Sequence, residues 1–317
     1  MKLKSLDIGR LSIKNNVFVA PLAGFSTAAF RSTCYRLGCG LSFTEMVSAK
    51  GIIYDNDNTV DLLKTTDDEY VKAAQIFGND PEIMARAIES DHLKDFDIVD
   101  INMGCPVPKV FCNGEGSALL KNAALCERIV AACVKTGKTI TVKMRLGVDG
   151  EHIVASEIAK RVEGAGASLI TVHARTREDY YGGELKYDEV RKVVESVKIP
   201  VIYNGSVFTE DDADRALSLT GADGVMLARG VMARPWLICE LIGRKDYDKK
   251  SVIKEHIAAE CLRYGETVAA IKLRKQMSFY LKSVKGAKAL RIRAFSATTE
   301  KELFDIVDDA EFSDRSF

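Results

Sequence analysis

The stretch 139-TITVKMRLGVDGEHIVASEIAKRVEGAGASLITVHAR-175 shows most clearly the pattern that recurs along this chain. It begins and ends in short runs rich in Val, Ile and Thr, which are typical of strands, and helical spacing fills the interval between them. A strand, a helix and a second strand in this order predict a parallel βαβ unit. The same alternation recurs along most of the chain.

Eight strand runs of this kind occur, and a helical pattern follows each one. They are 17-VFVAP-21, 42-SFTEM-46, 72-KAAQIFG-78, 98-IVDINMG-104, 139-TITVKMRLG-147, 168-SLITVHAR-175, 200-PVIYNGS-206 and 224-GVMLARG-230. Eight units in about 235 residues predict an α/β fold of the (β/α)8 TIM-barrel type. An open doubly wound sheet is the alternative. It should carry a Gly-x-Gly-x-x-Gly turn after its first strand, where this sequence has 20-APLAGF-25.

Capping residues mark the ends of several predicted helices. Asp80 is a good N-cap for the helical pattern through residue 92. Thr209 and Asp212 have capping-box spacing, and Gly221 provides a stop for the helix that they open.

Longer helical patterns predict one barrel helix and a separate tail. The run 117–137 is amphipathic, so we expect one long helix that ends at Gly137. After residue 245 the strand runs stop, and helical spacing continues through 251–284. The sequence therefore predicts a barrel domain over 1–245 and a small helical domain over 246–317.

The overall composition is that of an ordinary globular protein. The 317 residues include 45 basic and 45 acidic side chains, so the formal net charge is zero. No run approaches the roughly 18 apolar residues of a membrane span. Residues 1–16 also lack the apolar core of a signal peptide. We expect a cytoplasmic protein with reduced thiols and no contact with membranes.

The cysteines and histidines show no metal-binding pattern. The chain has eight cysteines without a Cys-x-x-Cys spacing, and its four histidines are scattered, so we expect no metal site. Six cysteines lie beside apolar residues or in turns and are expected to fill space in the fold: Cys34, Cys39, Cys126, Cys133, Cys239 and Cys261. The other two are close in sequence, Cys105 at a strand end and Cys112 in the loop beyond it.

Polar residues cluster at the C-terminal ends of the predicted strands, where barrel enzymes place their chemistry. A barrel core favours branched apolar side chains, and a buried polar side chain needs a partner. Packing therefore explains these residues poorly, and they predict an active site: Gln75, Asn102, Cys105, Lys143, Arg145, His173, Arg175, Asn204, Ser206 and Arg229.

The loops after the last two strands favour a phosphate site. The segments 204-NGS-206 and 228-ARG-230 provide glycines for close backbone approach, and Arg229 adds positive charge. The alternative is that these glycines only turn the chain.

Lys143 follows 139-TITV-142 and fits poorly as a surface lysine. One interpretation is a Schiff-base lysine of a barrel aldolase. The other is a cation beside the pyrimidine edge of a flavin. Gln75 favours the flavin because its amide can both donate to and accept from that ring edge.

Several motifs together resemble the tRNA-dihydrouridine synthases, which are FMN-dependent barrel enzymes. The matching stretches are 20-APLAGFSTAAFR-31, 75-QIFG-78, 100-DINMGCPVPKV-110, 141-TVKMRLG-147, 171-TVHARTR-177, 204-NGSV-207 and 226-MLARGVMARPW-236. They occur in family order across residues 17–236, and the helical tail also fits. The combination of Asn-x-Gly-Cys-Pro with Val-Lys-Met-Arg is the specific part.

The resemblance implies roles for individual residues. The family's FMN-binding positions fall on Pro21, Leu22, Ala23, Gln75, Lys143, Asn204, Gly205, Ser206, Ala228 and Arg229. His173 falls where the family touches the flavin or the substrate edge, and Cys105 falls on the family's proton donor. Substrate contacts are expected from Asn102, Lys109, Arg145 and Arg175. The family often has Asp where Ser206 stands, and Gly where Ala174 and Ala228 stand.

The implied reaction is reduction of the C5=C6 bond of a tRNA uridine, with NADPH or NADH reducing the FMN. Hydride should add at C6, the electrophilic end of the bond, and the enolate then needs a proton at C5. A thiol with a pKa of about 8.5 is still protonated near pH 7, whereas a carboxylic acid is usually ionised. The uridine has to flip out of its stack to reach the barrel.

The tail carries a run of basic residues with no Asp or Glu between them: Lys272, Arg274, Lys275, Lys282, Lys285, Lys288, Arg291 and Arg293. We expect contact with tRNA phosphates, against the alternative of a solvated helix face. Other functions left open are an FMN barrel for a free pyrimidine, like dihydroorotate dehydrogenase, a Schiff-base lyase using Lys143, and a non-catalytic RNA-binding protein. We expect a monomer.

Overall fold

A computed structural model describes residues 1–282 and 284–312. Eight parallel strands close a barrel in sequence order, which confirms the predicted fold class. The barrel strands are β3 (Val17–Val19), β4 (Leu41–Ser48), β5 (Ala73–Phe77), β6 (Ile98–Met103), β7 (Thr139–Arg145), β8 (Leu169–His173), β9 (Val201–Asn204) and β10 (Gly224–Leu227). Each strand coincides with one of the eight predicted runs.

The barrel strands are buried on both faces because alternate residues serve two cores. Phe18, Phe43 and Ile202 belong to a small cluster inside the barrel. Their neighbours in sequence, such as Val19 and Val201, belong to the larger cluster between the strands and the surrounding helices. This division explains why the strands read as continuous apolar runs.

A hairpin that the sequence analysis missed closes the N-terminal end of the barrel. Strands β1 (Leu6–Ile8) and β2 (Leu11–Ile13) pair antiparallel. Ile8 and Ile13 are fully buried and belong to the cluster inside the barrel. Gly9 turns the hairpin with a φ of +60°, and a Cβ at that position would lie 3.3 Å from Thr139 at the start of β7. The hairpin therefore lies against the N-terminal ends of the barrel strands.

Helices surround the barrel and form the tail. Those up to residue 245 are α1 (Ala28–Arg36), α2 (Ala49–Ile53), α3 (Asp57–Asp61), α4 (Pro81–Ile88), α5 (Pro108–Cys112), α6 (Ala123–Val134), α7 (Ala155–Gly164), α8 (Tyr187–Ser196), α9 (Glu210–Thr220), α10 (Arg229–Ala233) and α11 (Leu237–Leu241). Those of the tail are α12 (Lys249–Tyr264), α13 (Glu266–Tyr280), α14 (Ala287–Ser296) and α15 (Glu300–Asp309). In the described ranges, none of them has both the length and the apolar character needed to cross a membrane.

The predicted helix caps are confirmed. The Asp80 carboxylate accepts hydrogen bonds from two backbone N–H groups in the first turn of α4. Thr209 and Asp212 form a capping box at α9, and Gly221 ends that helix with a φ of +71°. The left-handed conformation explains why glycine stands at this position.

One predicted long helix is interrupted, and the helical spacing of the tail is divided between two helices. The single helix expected over 117–137 is wrong, because a 3-10 segment (Gly116–Lys121) precedes α6 and Asn122 separates the two. Asn122 has φ −142° and caps α6 by accepting from the N–H of Leu125. The helical spacing noted from residue 251 onwards corresponds to two helices, since Gly265 has a φ of +76° between α12 and α13.

The tail helices pack onto the barrel. Helix α12 lies against α1, and α13 lies against α10. Phe25 and Phe279 meet edge to face with their centroids 5.1 Å apart, and Phe30 meets His256 at 5.5 Å. The domain boundary between 245 and 246 stays a prediction, and it falls in the segment that connects α11 to α12.

Candidate active site at the open end of the barrel

The inside of the barrel changes from apolar to polar towards the C-terminal ends of its strands. Successive inward positions on β6 are Ile98, Asp100 and Asn102. Asn102 is in register with Lys143 on the neighbouring strand β7. In the same way His173 on β8 is in register with Asn204 on β9. The structure thus brings the polar strand-end residues together, as the sequence predicted.

A chain of hydrogen bonds leads from the barrel interior to the loop that carries Cys105. Asp100 accepts from Thr141 Oγ1 at 2.6 Å and from Gln75 Nε2 at 2.7 Å. Gln75 Oε1 accepts from Asn102 Nδ2 at 2.7 Å. Asn102 Oδ1 accepts from the backbone N–H groups of Cys105 at 2.9 Å and Gly104 at 3.1 Å. The position of Cys105 therefore depends on side chains from three strands.

Cys105 has an environment that keeps its thiol protonated. The side chain is half-buried, and this burial raises its pKa, opposed by the Val107 N–H, Arg145 and Lys143. Its carbonyl oxygen accepts from the backbone N–H and the hydroxyl of Ser117. The thiol is neutral near pH 7 and can act as a proton donor.

The remaining cysteines separate as the sequence predicted. Cys34, Cys39, Cys126, Cys133, Cys239 and Cys261 are all buried, which confirms that they pack in the fold. Cys112 is exposed, but it ends the short helix α5 and does not lie in a loop as predicted.

Lys143 and His173 both belong to the ring of polar side chains at the strand ends, but they differ in charge. Lys143 Nζ donates to Asn204 Oδ1 at 3.1 Å, and Asn204 Nδ2 donates to the carbonyl of Met226 at 2.8 Å. Burial lowers the pKa of Lys143 to about 8, helped by the charge of Arg145. Burial, followed by the same arginine, lowers the pKa of His173 well below its usual value. Near pH 7 the site therefore contains a cationic lysine and a neutral imidazole.

Two arginines converge on Ser206 at the end of β9. Arg175 Nη2 donates to Ser206 Oγ at 3.1 Å, and Arg229 Nη2 donates to the same oxygen at 3.4 Å. Arg175 is buried, and its Nη1 has no hydrogen-bond partner within the part of the chain that the structure describes. Burial, then the charge of Arg229, lowers the pKa of Arg175. Two adjacent guanidinium groups with an unused buried N–H fit an anionic ligand.

The glycine before Ser206 is required by its protein neighbours. Gly205 has a φ of +153°, and a Cβ there would lie 2.9 Å from Leu185 and 3.0 Å from the Tyr203 hydroxyl. Gly205 therefore lets the chain pass between two side chains, whether or not a ligand approaches it. Ser206 follows with a φ of +46°, an uncommon conformation for a residue with a side chain.

Arg145 holds the loops of the site in place. Its Nε donates to the Gly104 carbonyl at 2.9 Å, and its Nη1 donates to the carbonyls of Thr176 and Tyr180 at 2.7 and 2.8 Å. Burial lowers its pKa to about 10, so it stays charged. Lys109, by contrast, is exposed on α5.

The predicted cofactor loop 21–23 contacts the tail. Lys275 Nζ on α13 donates to the carbonyl of Ala23 at 3.3 Å and lies 4.2 Å from the centre of the Phe25 ring. The N–H of Gly24 donates to the Glu45 carboxylate at 2.5 Å. The tail therefore reaches the rim of the barrel mouth.

Some basic residues of the tail have acidic or aromatic partners that their position in the sequence does not indicate. Arg293 pairs with Asp309 at 2.6 Å, an acid from a later helix. Lys272 Nζ lies 4.3 Å from the centre of the Tyr264 ring, and its charge and that of Lys275 act on Glu45. Although the sequence has no acid between residues 272 and 293, acids from other segments lie close to some of these basic side chains.

Three residues of the site were not predicted. Asp100 and Thr141 lie in mid-strand, and Tyr181 lies near two arginines, its ring centre 5.7 Å from Arg145 and 5.5 Å from Arg229. A signal for Asp100 was available, because it alternates with Asn102 in an otherwise apolar strand. Among the described residues, no group of His, Cys, Asp and Glu is arranged to hold a metal ion.

Comparisons with known proteins agree with these features. The model of the family "Dihydrouridine synthase (Dus)" matches residues 18–315. The tRNA-dihydrouridine synthase B of Shewanella oneidensis is 34% identical over 287 residues, covering 87% of this chain and 89% of the relative. The probable tRNA-dihydrouridine synthase of Rhizobium leguminosarum bv. phaseoli is 37% identical, with 88% and 89% covered.

A similarity to solved structures concerns the fold alone. Histamine dehydrogenase from Rhizobium sp. 4-9 superposes with a TM-score of 0.59 at 16% identity, over 87% of this chain and 50% of that one. Morphinone reductase superposes with a TM-score of 0.55 at 14% identity, over 77% and 90%.

Proposed function

This chain belongs to the dihydrouridine synthase family, and from that membership we propose that it reduces the C5=C6 bond of specific uridines in tRNA to 5,6-dihydrouridine. The observation that carries the proposal is the position of Cys105. Its neutral thiol lies at the end of β6, beside a ring that contains the cationic Lys143 and the neutral His173.

The residues present fit FMN as the cofactor. Arg175 has an unused buried N–H and lies with Arg229 around Ser206, which suits a phosphate group. Lys143 and Gln75 suit the polar edge of the flavin ring. We propose that the rest of the cradle comes from the other residues that match the family: Pro21, Leu22, Ala23, His173, Asn204, Gly205 and Ala228. When bound, FMN supplies the hydride that adds at C6 of the uracil.

Cys105 provides the proton that C5 needs. Donation from the thiol leaves a thiolate, and the surroundings that oppose burial favour that product. The N–H of Val107 hydrogen-bonds the sulfur, and Arg145 and Lys143 place positive charge near it. The thiol is thus stable before the reaction, and the thiolate is tolerated after it until solvent returns the proton.

The tail and the exposed part of the Cys105 loop are proposed to bind tRNA. Lys275 is already at the rim of the barrel, next to the loop after β3. A uridine must leave its stack to enter the mouth, and phosphate contacts offset the cost of a few kcal/mol. Among the proposed substrate-binding residues Asn102, Lys109, Arg145 and Arg175, only the Lys109 side chain is exposed.

NADPH or NADH is proposed as the source of electrons for the flavin, in a monomeric enzyme of the cytoplasm. The boundary between the catalytic domain and the tRNA-binding domain is proposed at residues 245 and 246.

The test is to incubate the purified protein with FMN, NADPH and tRNA that lacks dihydrouridine, and to measure dihydrouridine by mass spectrometry of the nucleosides. Dihydrouridine that forms only with all components supports the proposal. Reduction of free pyrimidines with no product in tRNA would instead support a dihydroorotate dehydrogenase-like enzyme. A colourless protein that borohydride links to a keto substrate through Lys143 would support the lyase.

A further inference from the structure

Asp100 is a buried acid that has no role in the proposed reaction. It lies in the middle of β6 with 1% of its surface exposed. Burial raises its pKa to about 6, opposed by hydrogen bonds from Thr141 and Gln75 and by the charge of Lys143. A buried carboxylate is costly unless its hydrogen bonds are satisfied. Here Thr141 and Gln75 donate to different oxygens of the carboxylate.

In the chain of hydrogen bonds between Asp100 and the Cys105 turn, the chemistry of the groups decides which one donates and which one accepts at each step. The N–H groups of Gly104 and Cys105 can only donate, so Asn102 must turn its oxygen towards them. Its amide nitrogen then faces Gln75, which must present its own oxygen. The nitrogen of Gln75 consequently faces Asp100, where an acceptor is needed.

We propose that Asp100 is a positioning residue for Cys105: as an acceptor, it fixes the orientation of the Gln75 and Asn102 amides and thereby holds the turn that carries the thiol. An ionised carboxylate has no proton to donate, so it excludes the reversed orientation of Gln75. With Gln75 fixed, Asn102 keeps its oxygen on the N–H groups of Gly104 and Cys105. Only the catalytic consequence of this role rests on the proposed function.

Exchanging the acid and the amide provides a test within the protein itself. In Asn102→Asp the new carboxylate can still accept from the turn, but it cannot donate to Gln75, so two acceptors face each other. Adding Asp100→Asn removes the conflict. Gln75 can then reverse, donating to Asp at position 102 and accepting from Asn at position 100, while Thr141 donates to the new amide oxygen. Every hydrogen bond of the chain is satisfied again.

The readout is the alkylation rate of Cys105 by iodoacetamide in the flavin-loaded protein, in a Cys112→Ser background because Cys112 is the exposed thiol. Rates are taken at pH 9, where Arg145 keeps its charge, and are divided by the thiolate fraction of each variant so that a changed thiol pKa does not enter. We expect Asn102→Asp to loosen the turn and raise this corrected rate about 10-fold, in line with the loss of a buried hydrogen bond. The double variant Asp100→Asn/Asn102→Asp should return to within about twofold of the parent, with Asp100→Asn alone changing the rate less than Asn102→Asp.

A matched control is Asp97→Asn, which alters an exposed acid just before the same strand and should leave the rate unchanged. A double variant that alkylates as fast as Asn102→Asp, or faster, would overturn the proposal. Dihydrouridine formation is measured in parallel. If the parent protein makes no dihydrouridine, the proposed function fails, while the alkylation rates still decide the role of Asp100.

Discussion

Lys275 Nζ on α13 lies 3.3 Å from the carbonyl oxygen of Ala23, 252 residues earlier in the chain. This contact joins the tail to the loop after the first barrel strand, which we propose forms part of the FMN site. The tail is therefore in direct contact with the rim of the catalytic barrel, and Phe279 against Phe25 adds an apolar contact beside it.

Lys275→Ala should weaken tRNA binding. Loss of one phosphate contact is expected to lower the salt slope of log K by roughly 0.7–0.9 and to raise Kd several-fold at low salt. Filter binding over a salt series measures both quantities. Lys160→Ala, on the outer helix α7, is the matched control and should leave the slope unchanged. An identical slope in the two variants would show that Lys275 does not contact tRNA phosphates.

Cys105→Ala should abolish most of the reduction while the protein keeps its flavin. Loss of a general acid costs about 10²- to 10⁴-fold in rate. Single-turnover formation of dihydrouridine measures this loss, and flavin absorbance with tRNA titration measures binding. Cys112→Ser should behave like the parent. A Cys105→Ala protein that has lost its flavin would indicate a structural role for the thiol.

Arg175→Lys should weaken FMN binding by about 10-fold or more, because an ammonium group cannot bond Ser206 and the carbonyls of Gly182 and Gly183 while also offering the unused Nη1 to an anion. The affinity is measured by fluorescence quenching as FMN is added to the deflavinated protein. Arg161→Lys is the matched control. Arg161 lies on the barrel surface, where it pairs with Glu127 and Glu157. Equal affinities in both variants would show that the unused N–H of Arg175 does not face the cofactor.

The buried charge of Lys143 should appear in the pH dependence of stability. Its pKa is about 8 in the folded protein and about 10.5 in the unfolded chain. Between these values the unfolded chain binds more protons, so the stability of the parent rises with pH in this window. Lys143→Met lacks this rise, so its free energy of unfolding relative to that of the parent should fall from pH 8 to 10.5.

Urea denaturation of the flavin-free proteins at several pH values measures the difference. Lys160→Met, at an exposed site, should keep a constant offset from the parent over the same range. A constant offset in Lys143→Met as well would mean that Lys143 is not desolvated in the folded state.

The barrel could be predicted from sequence because its signal is local. Each strand is a short run of β-branched residues buried on both faces, so eight runs were visible without any long-range information. The hairpin β1–β2 was not, since strands of three residues are too short to show a period. Asn122 was missed because the apolar spacing continues across it, although the residue caps the helix that follows.

The site was predictable to the extent that its residues stand at strand ends. Cys105 and Lys143 do, and their positions alone indicated them. Other contacts of the site and of the tail join residues that are distant in sequence. Thr141 donates to Asp100, 41 residues earlier, and Arg293 meets Asp309 only because two tail helices pack together. Such pairings depend on the closure of the barrel and on the docking of helices, which no local pattern contains.

The hairpin covers the N-terminal end of the barrel, opposite the polar ends of the strands. With Ile8 and Ile13 filling the N-terminal end, the proposed uridine and nicotinamide substrates would both reach the proposed flavin site through the mouth at the C-terminal ends of the strands. The two substrates then take turns, and an excess of either should slow the entry of the other. Steady-state kinetics would show this as parallel reciprocal plots with competitive substrate inhibition.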